Sequence, residues 1–92
     1  MAIAVRFYAT YRDITACKAM EIPVQGDLHR LLLLLTDKFG PAMERKLFKA
    51  PGELGPDAVI LINGRHVAHL QGLNTPVQDG DVVAIFPLVA GG

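Results

Sequence analysis

The sequence lacks most of the features that would assign it to a disulfide-stabilised, metal-binding or nucleic-acid-binding class. Its single cysteine, Cys17, cannot by itself form an internal disulfide, an iron–sulfur cluster or a thiolate metal site. A lone cysteine fits a reducing compartment. Nine basic and nine acidic side chains give a formal net charge of zero, so the basic excess that accompanies nucleic-acid binding is missing. We expect no nucleic-acid partner.

Long hydrophobic runs are also missing. No uninterrupted apolar run is longer than Leu31–Leu35, whereas a helix needs about 20 such residues to cross a bilayer. The first residues, Met1–Arg6, reach a charge at the sixth position and lack both the basic start and the long apolar stretch of a secretion signal. We therefore expect a cytoplasmic protein with no membrane partner.

What the sequence does contain is enough apolar material for one folded unit. Of its 92 residues, 51% are hydrophobic and 20% are charged, a balance typical of globular rather than disordered chains. This length accommodates one domain with one modest core. We assign residues 1–87 to that domain and residues 88–92 to a C-terminal tail.

The first third of the chain has the alternating pattern of β-strands. Apolar and other side chains alternate in Ile3–Thr10 and again in Ala19–Val24, which predicts two half-buried strands. The segment between them, Tyr11–Thr15, is expected to be a polar connection in a hairpin. Pro23 indicates an edge position or a strand end because proline cannot donate to the ladder.

A helix is predicted after these strands. Asp27 can cap it, and Gly40 followed by Pro41 should end it after Phe39. Its apolar positions follow the i, i+3, i+4, i+7 rule: Leu28, Leu31, Leu32 and Leu35. Leu33 and Leu34 exceed this one-sided stripe, and they could fill a wider groove or support self-association.

The rest of the chain returns to strand character. A second short helix is possible at Met43–Lys49, and the prolines and glycines of Ala50–Asp57 predict a loop. The remaining expected elements are a strand at Ala58–Ile62, a tight turn at Asn63-Gly64, a short returning strand at Arg65–Val67, irregular chain from His69 to Val77, a turn at Gln78–Asp81, and a last strand at Val82–Phe86 ended by Pro87.

This order of elements predicts an α+β domain of the β-grasp (ubiquitin-like) class, in which a mixed sheet wraps one main helix. The helix can cover only one face of the sheet. The first and last strands should be parallel at the sheet centre, so Tyr8 and Phe86, out of phase with the core, would share the uncovered face. His66, out of phase with Val67, is a third candidate. These residues could form a binding patch or be scattered surface aromatics.

After Pro87 the chain has only Leu88-Val89-Ala90-Gly91-Gly92. Extended, these five residues reach roughly 16 Å, enough to carry a terminal carboxylate into another protein's pocket. Glycine suits a narrow channel because it has no Cβ. Taken alone, the two glycines are no more than a frayed end would show.

Two segments carry a family resemblance. The stronger is Asp79–Gly92, with an Asp-Gly-Asp turn, a last strand, Phe-Pro and a terminal Gly-Gly; the weaker is Arg6–Ala9 followed by Arg12. They resemble the small subunit of molybdopterin synthase (the MoaD family) and, more distantly, the thiamine sulfur carrier ThiS and ubiquitin-like modifiers. Leu88 departs from the pattern, since many members have a second proline there.

The resemblance implies a reaction at the C-terminus. An ATP-dependent adenylyltransferase of the ubiquitin-activating type (MoeB-like) would adenylate the Gly92 carboxylate, and a sulfur donor would convert it to a thiocarboxylate. In the active site of a large subunit (MoaE-like), that sulfur would attack a pterin precursor of the molybdenum or tungsten cofactor. The chain would not be catalytic alone, and it would bind no cofactor, because ATP is used by the activating enzyme.

The resemblance also implies how the partner is contacted. Tyr8 and Phe86 match positions at the family's partner interface, and Gly91 would give Gly92 access to the partner's pocket. The rest of the tail would line the way in: Pro87, Leu88, Val89 and Ala90.

Other functions remain open on the sequence. The same chemistry could serve thiamine or a thiolated tRNA base, Gly92 could be joined to lysines of other proteins, or the domain could be a binding module without terminal chemistry. His66 and His69 have a His-x-x-His spacing, but no third ligand accompanies them, so we expect no metal site. We interpret Cys17 as an incidental thiol.

Overall fold

The structure, a computed structural model, describes residues 2–88. Nine strands and three α-helices occur in this part of the chain: β1 (Ile3–Phe7), α1 (Thr10–Thr15), β2 (Ala19–Ile22), β3 (Gly26–Asp27), α2 (Leu28–Phe39), α3 (Pro41–Leu47), β4 (Phe48–Ala50), β5 (Glu53–Leu54), β6 (Val59–Ile62), β7 (Arg65–His66), β8 (Pro76–Val77) and β9 (Val82–Phe86). Short 3₁₀ turns occupy Val67–His69 and Gly72–Asn74.

The main sheet has five strands in the order β2-β1-β9-β6-β7. Its central pair, β1 and β9, is parallel, with Phe7 opposite Ile85, and every other pairing in this sheet is antiparallel. The predicted central position of the first and last strands is therefore confirmed. The adjacency has a local cause: β1 and β9 alternate strictly, and their buried residues fall in the same register.

The helix α2 covers one face of this sheet. Asp27 caps it as predicted, because its Oδ1 accepts a hydrogen bond from the Arg30 amide at 3.0 Å. The leucines of the predicted stripe are fully buried: Leu28, Leu31, Leu32 and Leu35. They pack against the inward side chains of the sheet to form one core, so the β-grasp class is confirmed.

The segment Tyr11–Thr15 departs from expectation. It was predicted to be a polar connection, and this prediction is wrong, because it forms most of α1 and leaves β1 ending at Phe7 rather than Thr10. The helix forms because the Tyr11 ring, which has no exposed surface, turns inward to join the core. Positive φ angles at Ala9 (52°) and Ala16 (59°) bracket the helix.

Several further regions differ from the prediction. The second strand stops at Ile22 rather than Val24. A β4–β5 hairpin begins at Phe48 and extends into the predicted loop 50–57. The region 69–77 contains a 3₁₀ turn and β8, which pairs with β3. The short helix, expected at Met43–Lys49, runs over Pro41–Leu47, because Phe48 and Lys49 belong to β4. The turn at Asn63-Gly64 is as predicted, with positive φ angles of 51° and 85°.

Candidate partner-binding face

The uncovered face of the sheet is formed by the side chains that alternate with the core. Cross-strand pairing aligns one residue from each of the five strands in a row: Ala19, Arg6, Ala84, Leu61 and His66. The next row holds Tyr8, Phe86 and Val59, since Tyr8 N–H donates to the Ile85 carbonyl at 3.2 Å and Val59 lies opposite Phe86. Tyr8, Phe86 and His66 therefore share this face, as the strand phases predicted. We call it the sheet face.

At the centre of the sheet face, Tyr8 and Phe86 stack on each other. Their ring centroids are 4.3 Å apart and the rings are inclined by only 9°. Both rings are half-buried, so they present one flat apolar surface rather than scattered aromatics. An aromatic pair of this kind contributes about 0.5–1.5 kcal/mol beyond the area it buries.

Arg12 borders this pair. Its guanidinium carbon lies 5.9 Å from the centroid of the Tyr8 ring, and its Nε donates to the Phe7 carbonyl at 3.4 Å. The arginine occupies this position because α1 folds back over the end of β1. The sequence put Arg12 in a polar connection and matched it to the family's arginine after the first strand, but it did not predict this position beside the Tyr8 ring, which gives the apolar stack a cationic rim.

His66 shares the sheet face but has a structural partner. Its Nδ1 accepts a hydrogen bond from the Ala68 amide at 3.0 Å and caps the 3₁₀ turn at Val67–His69. The His69 ring meets it edge-on at 6.1 Å. Among residues 2–88 no group of three or more His, Cys, Asp or Glu side chains could hold a metal ion.

Tyr11, next to Arg12 in α1, connects this helix to the rest of the domain. Its hydroxyl donates to the Asp57 carbonyl at 2.6 Å and lies 3.2 Å from the Lys46 carbonyl. It thereby joins α1 to the end of α3 and to the segment that enters β6. Burial, together with the nearby charge of Asp57, raises the pKa of the Tyr11 hydroxyl well above its ordinary value. The phenol therefore stays a hydrogen-bond donor.

The C-terminal residues continue from the stacked pair. Pro87, directly after Phe86, is half-buried, and Leu88 is 59% exposed. The other predicted tail residues, Val89, Ala90, Gly91 and Gly92, lie outside the described residues. Their roles stay predictions, as does the domain boundary after residue 87. Cys17 lies before β2, partly buried against the core and distant in sequence from the tail.

The described part of the chain contains no helix long and apolar enough to span a bilayer. On the sheet face, Arg12 lies over the Tyr8 ring and Arg6 occupies the neighbouring cross-strand row, whereas the acidic Glu21 lies opposite Ala4, one row further from the aromatic stack. Such a surface can dock an apolar patch of another protein, but it has no cluster of groups able to perform acid–base chemistry.

Comparison with known proteins assigns this architecture to a family. The model of the ThiS family matches residues 5–92. The chain is 36% identical over 94 residues to small archaeal modifier protein 3 of Haloferax volcanii, with all of both chains covered. It is 43% identical over 77 residues to a putative sulfur carrier protein of Archaeoglobus fulgidus, covering 74% of this chain and 86% of the relative.

A solved structure agrees with these sequence matches. The solution structure of small archaeal modifier protein 1 from Methanosarcina acetivorans superposes with a TM-score of 0.85 at 32% identity, covering 99% of this chain and 96% of that one. The family match, the relatives and the β-grasp architecture all agree. The chain therefore belongs to the ThiS family of ubiquitin-like sulfur carriers and modifiers.

Proposed function

We propose that this protein is a sulfur carrier whose reactive group is the carboxylate of Gly92. The observation that carries the proposal is the ThiS family match, which extends through residue 92. The Tyr8–Phe86 stack supports it, because a docking surface lies directly beside the residue where β9 leads into the tail.

The proposed reaction has two steps. The Gly92 carboxylate attacks the α-phosphorus of ATP on an activating enzyme of the ubiquitin-activating type, which forms an acyl adenylate and releases pyrophosphate. Sulfide, supplied by a sulfur-transfer protein, then attacks the acyl carbon and displaces AMP, leaving a thiocarboxylate. Because residues 88–92 contain no titratable side chain, any acid–base assistance comes from the partner, and the chain is not catalytic alone.

We propose further that the acceptor of this sulfur is a pterin precursor. The thiocarboxylate would attack it in the active site of a large subunit resembling that of molybdopterin synthase, and two such transfers would build the dithiolene of a molybdenum or tungsten cofactor. The Asp79–Gly92 motif supports this choice. A cytoplasmic location, where ATP is available to the activating enzyme, is part of this proposal.

Intact-mass spectrometry tests the sulfur-carrier proposal. Incubation with an activating enzyme, ATP and sulfide should raise the mass by the difference between sulfur and oxygen. A variant lacking Gly92 should gain nothing. If that variant gained the same mass, the site would lie elsewhere and the proposal would fail.

Docking can be tested apart from chemistry. Phe86→Ala should weaken binding to the activating enzyme and to the large subunit, because it removes half of the stacked surface. Lys38→Ala, on the helix side of the domain, is the control and should bind as the wild type does. Equal binding by the Phe86 variant would exclude the sheet face as the docking surface.

Protein modification is a second candidate, favoured by the full-length match to a relative named a small archaeal modifier. Here a lysine ε-amine of a target would attack the activated Gly92 carbonyl, giving an isopeptide bond and releasing the activating group. Immunoblots of cells should then show higher-mass adducts that vanish when Gly91 and Gly92 are removed. Thiolated product without adducts would favour sulfur donation alone.

A further inference from the structure

The outer side of α2 exposes two leucines that the core does not use. Leu33 and Leu34 are 49% and 39% exposed, whereas the four other leucines of α2 are buried. A helix that has already buried its core stripe gains no further core burial from additional leucines. Leu33 in particular lies in an open groove between α2 and the α3–β4 segment.

This groove, which we call the helix groove, has two halves. One half, about 460 Å³, is lined by His29, Phe48, Arg45 and Lys49 among others, and the His29 and Phe48 rings lie 6.0 Å apart on its floor. The adjoining half, about 400 Å³, runs past Asp37 to the bend between α2 and α3. Leu33 and Glu44 line both halves.

The charges of the helix groove are separated along its length. Arg45 and Lys49 line only the first half, and Asp37 lines only the second, with Glu44 at the junction. None of these four side chains forms a salt bridge within residues 2–88, where Lys46 and Asp57 form one. Along α2, His29, Leu33 and Asp37 follow at four-residue steps, so Leu33 stands between the two ends.

We propose that the helix groove binds a second copy of this chain, in a two-fold symmetric dimer centred on Leu33. Two-fold symmetry turns the second groove end for end, so the cationic half of each copy meets the acidic half of the other. Arg45 of each copy then faces Asp37 of its partner, and the two Leu33 side chains pack at the axis. The charge pattern is thus complementary to itself, whereas a partner of one charge sign would match only one half.

The zero net charge of the chain removes long-range repulsion between copies. The helix groove lies on the far side of α2 from the sheet, so dimerisation leaves the sheet face of each copy free. The inference therefore does not rest on the proposed function.

Sedimentation equilibrium of the full chain tests this dimer. From about 10 µM to about 1 mM, the range expected for a modest interface, the mean mass should rise from 9.9 kDa toward twice that value. Asp37→Lys and Arg45→Glu should each weaken self-association about tenfold or more, because each change creates two like-charge contacts across the axis. Mixed together, the two variants should associate again, since both contacts are then between opposite charges.

Asp79→Lys is the control: it makes the same change of charge in an exposed turn outside the groove, and it should associate as the wild type does. Far-UV circular dichroism verifies that every variant is folded. A wild-type chain that remains at 9.9 kDa throughout would overturn the proposal and leave the groove to a partner of another sequence. So would charge variants that fail to associate when mixed although the wild type dimerises.

Discussion

Replacing Tyr11 with Phe removes one oxygen atom from beneath the sheet face and keeps the ring. The ring has no exposed surface, and its hydroxyl contacts the carbonyl oxygens of Asp57 at 2.6 Å and Lys46 at 3.2 Å. A hydroxyl has a single proton, so the shorter contact to Asp57 holds most of the hydrogen bond. The substitution leaves this carbonyl without its donor.

The size of the effect follows from that loss. The hydrogen bond is part-buried, and leaving its acceptor without a donor costs about 1–3 kcal/mol. No large cavity forms because only the oxygen is removed. We therefore expect the Tyr11→Phe variant to lose about 2 kcal/mol of unfolding free energy. For a domain of this size that corresponds to a decrease in Tm on the order of 10 °C.

Urea unfolding followed by far-UV circular dichroism measures this difference. The transition should move to lower urea with an unchanged slope, because the surface exposed on unfolding stays the same. Tyr8→Phe is the matched control: its hydroxyl has no hydrogen-bond partner among residues 2–88 and the stack is kept, so its stability should stay within about 0.5 kcal/mol of wild type. Equal stabilities of the Tyr11 variant and the wild type would refute the reasoning.

Further predictions concern the pH dependence of stability, the cap of α2 and the contact between Asn63 and Asp81. Folding raises the pKa of the Tyr11 hydroxyl. The stability that Tyr11 contributes is therefore full below its unfolded pKa of about 10 and is lost as the pH rises above that value. Between about pH 10 and pH 11, the free energy of unfolding of Tyr11→Phe should fall less than that of the wild type. Asp27→Ala should cost about 0.5–2 kcal/mol by removing the α2 cap, whereas Asp79→Ala should cost almost nothing in the same urea titration. Asn63 Nδ2 donates to Asp81 at 2.9 Å, so Asn63→Asp places two carboxylates together. Relative to wild type, this variant should unfold at a lower urea concentration at pH 7, and the difference should disappear below about pH 4.

The elements that could be predicted from the sequence are those specified by neighbours along the chain. The α2 helix has its cap, its apolar period and its Gly-Pro stop within the local sequence, and the observed bounds agree with the expected ones. The same holds for β9 and for the Asn63-Gly64 turn. In each case the residues that decide the structure lie within a few positions of one another.

The α1 helix could not be predicted because its cause is distant in sequence. The Tyr11 hydroxyl contacts carbonyls 35 and 46 residues away, and no local sequence pattern predicts those contacts. The strands β3 and β8 are similar, since each has two residues and the paired residues are 51 and 49 positions apart in the chain. Two residues are too few to show an alternating pattern, so long-range pairing alone makes them strands.

The candidate site was predictable to the same extent. Strand phase alone put Tyr8 and Phe86 on one face, but their parallel stacking depends on the register of β1 against β9. Arg12 reaches the stack only because α1 exists. The capping role of His66 could not be predicted either, because it depends on a 3₁₀ turn that was expected to begin as strand.

The point at which the sheet ends decides where the proposed reactive end begins. Phe86 is the last residue of β9 that pairs with β6, and Pro87 has no amide hydrogen with which to continue either ladder. The central strand therefore stops beside the aromatic stack, although β9 has a partner on each side. A non-proline residue at position 87 could extend the pairing and move the start of the tail away from Tyr8 and Phe86. The proline thus fixes the end of β9 next to the stacked rings of Tyr8 and Phe86.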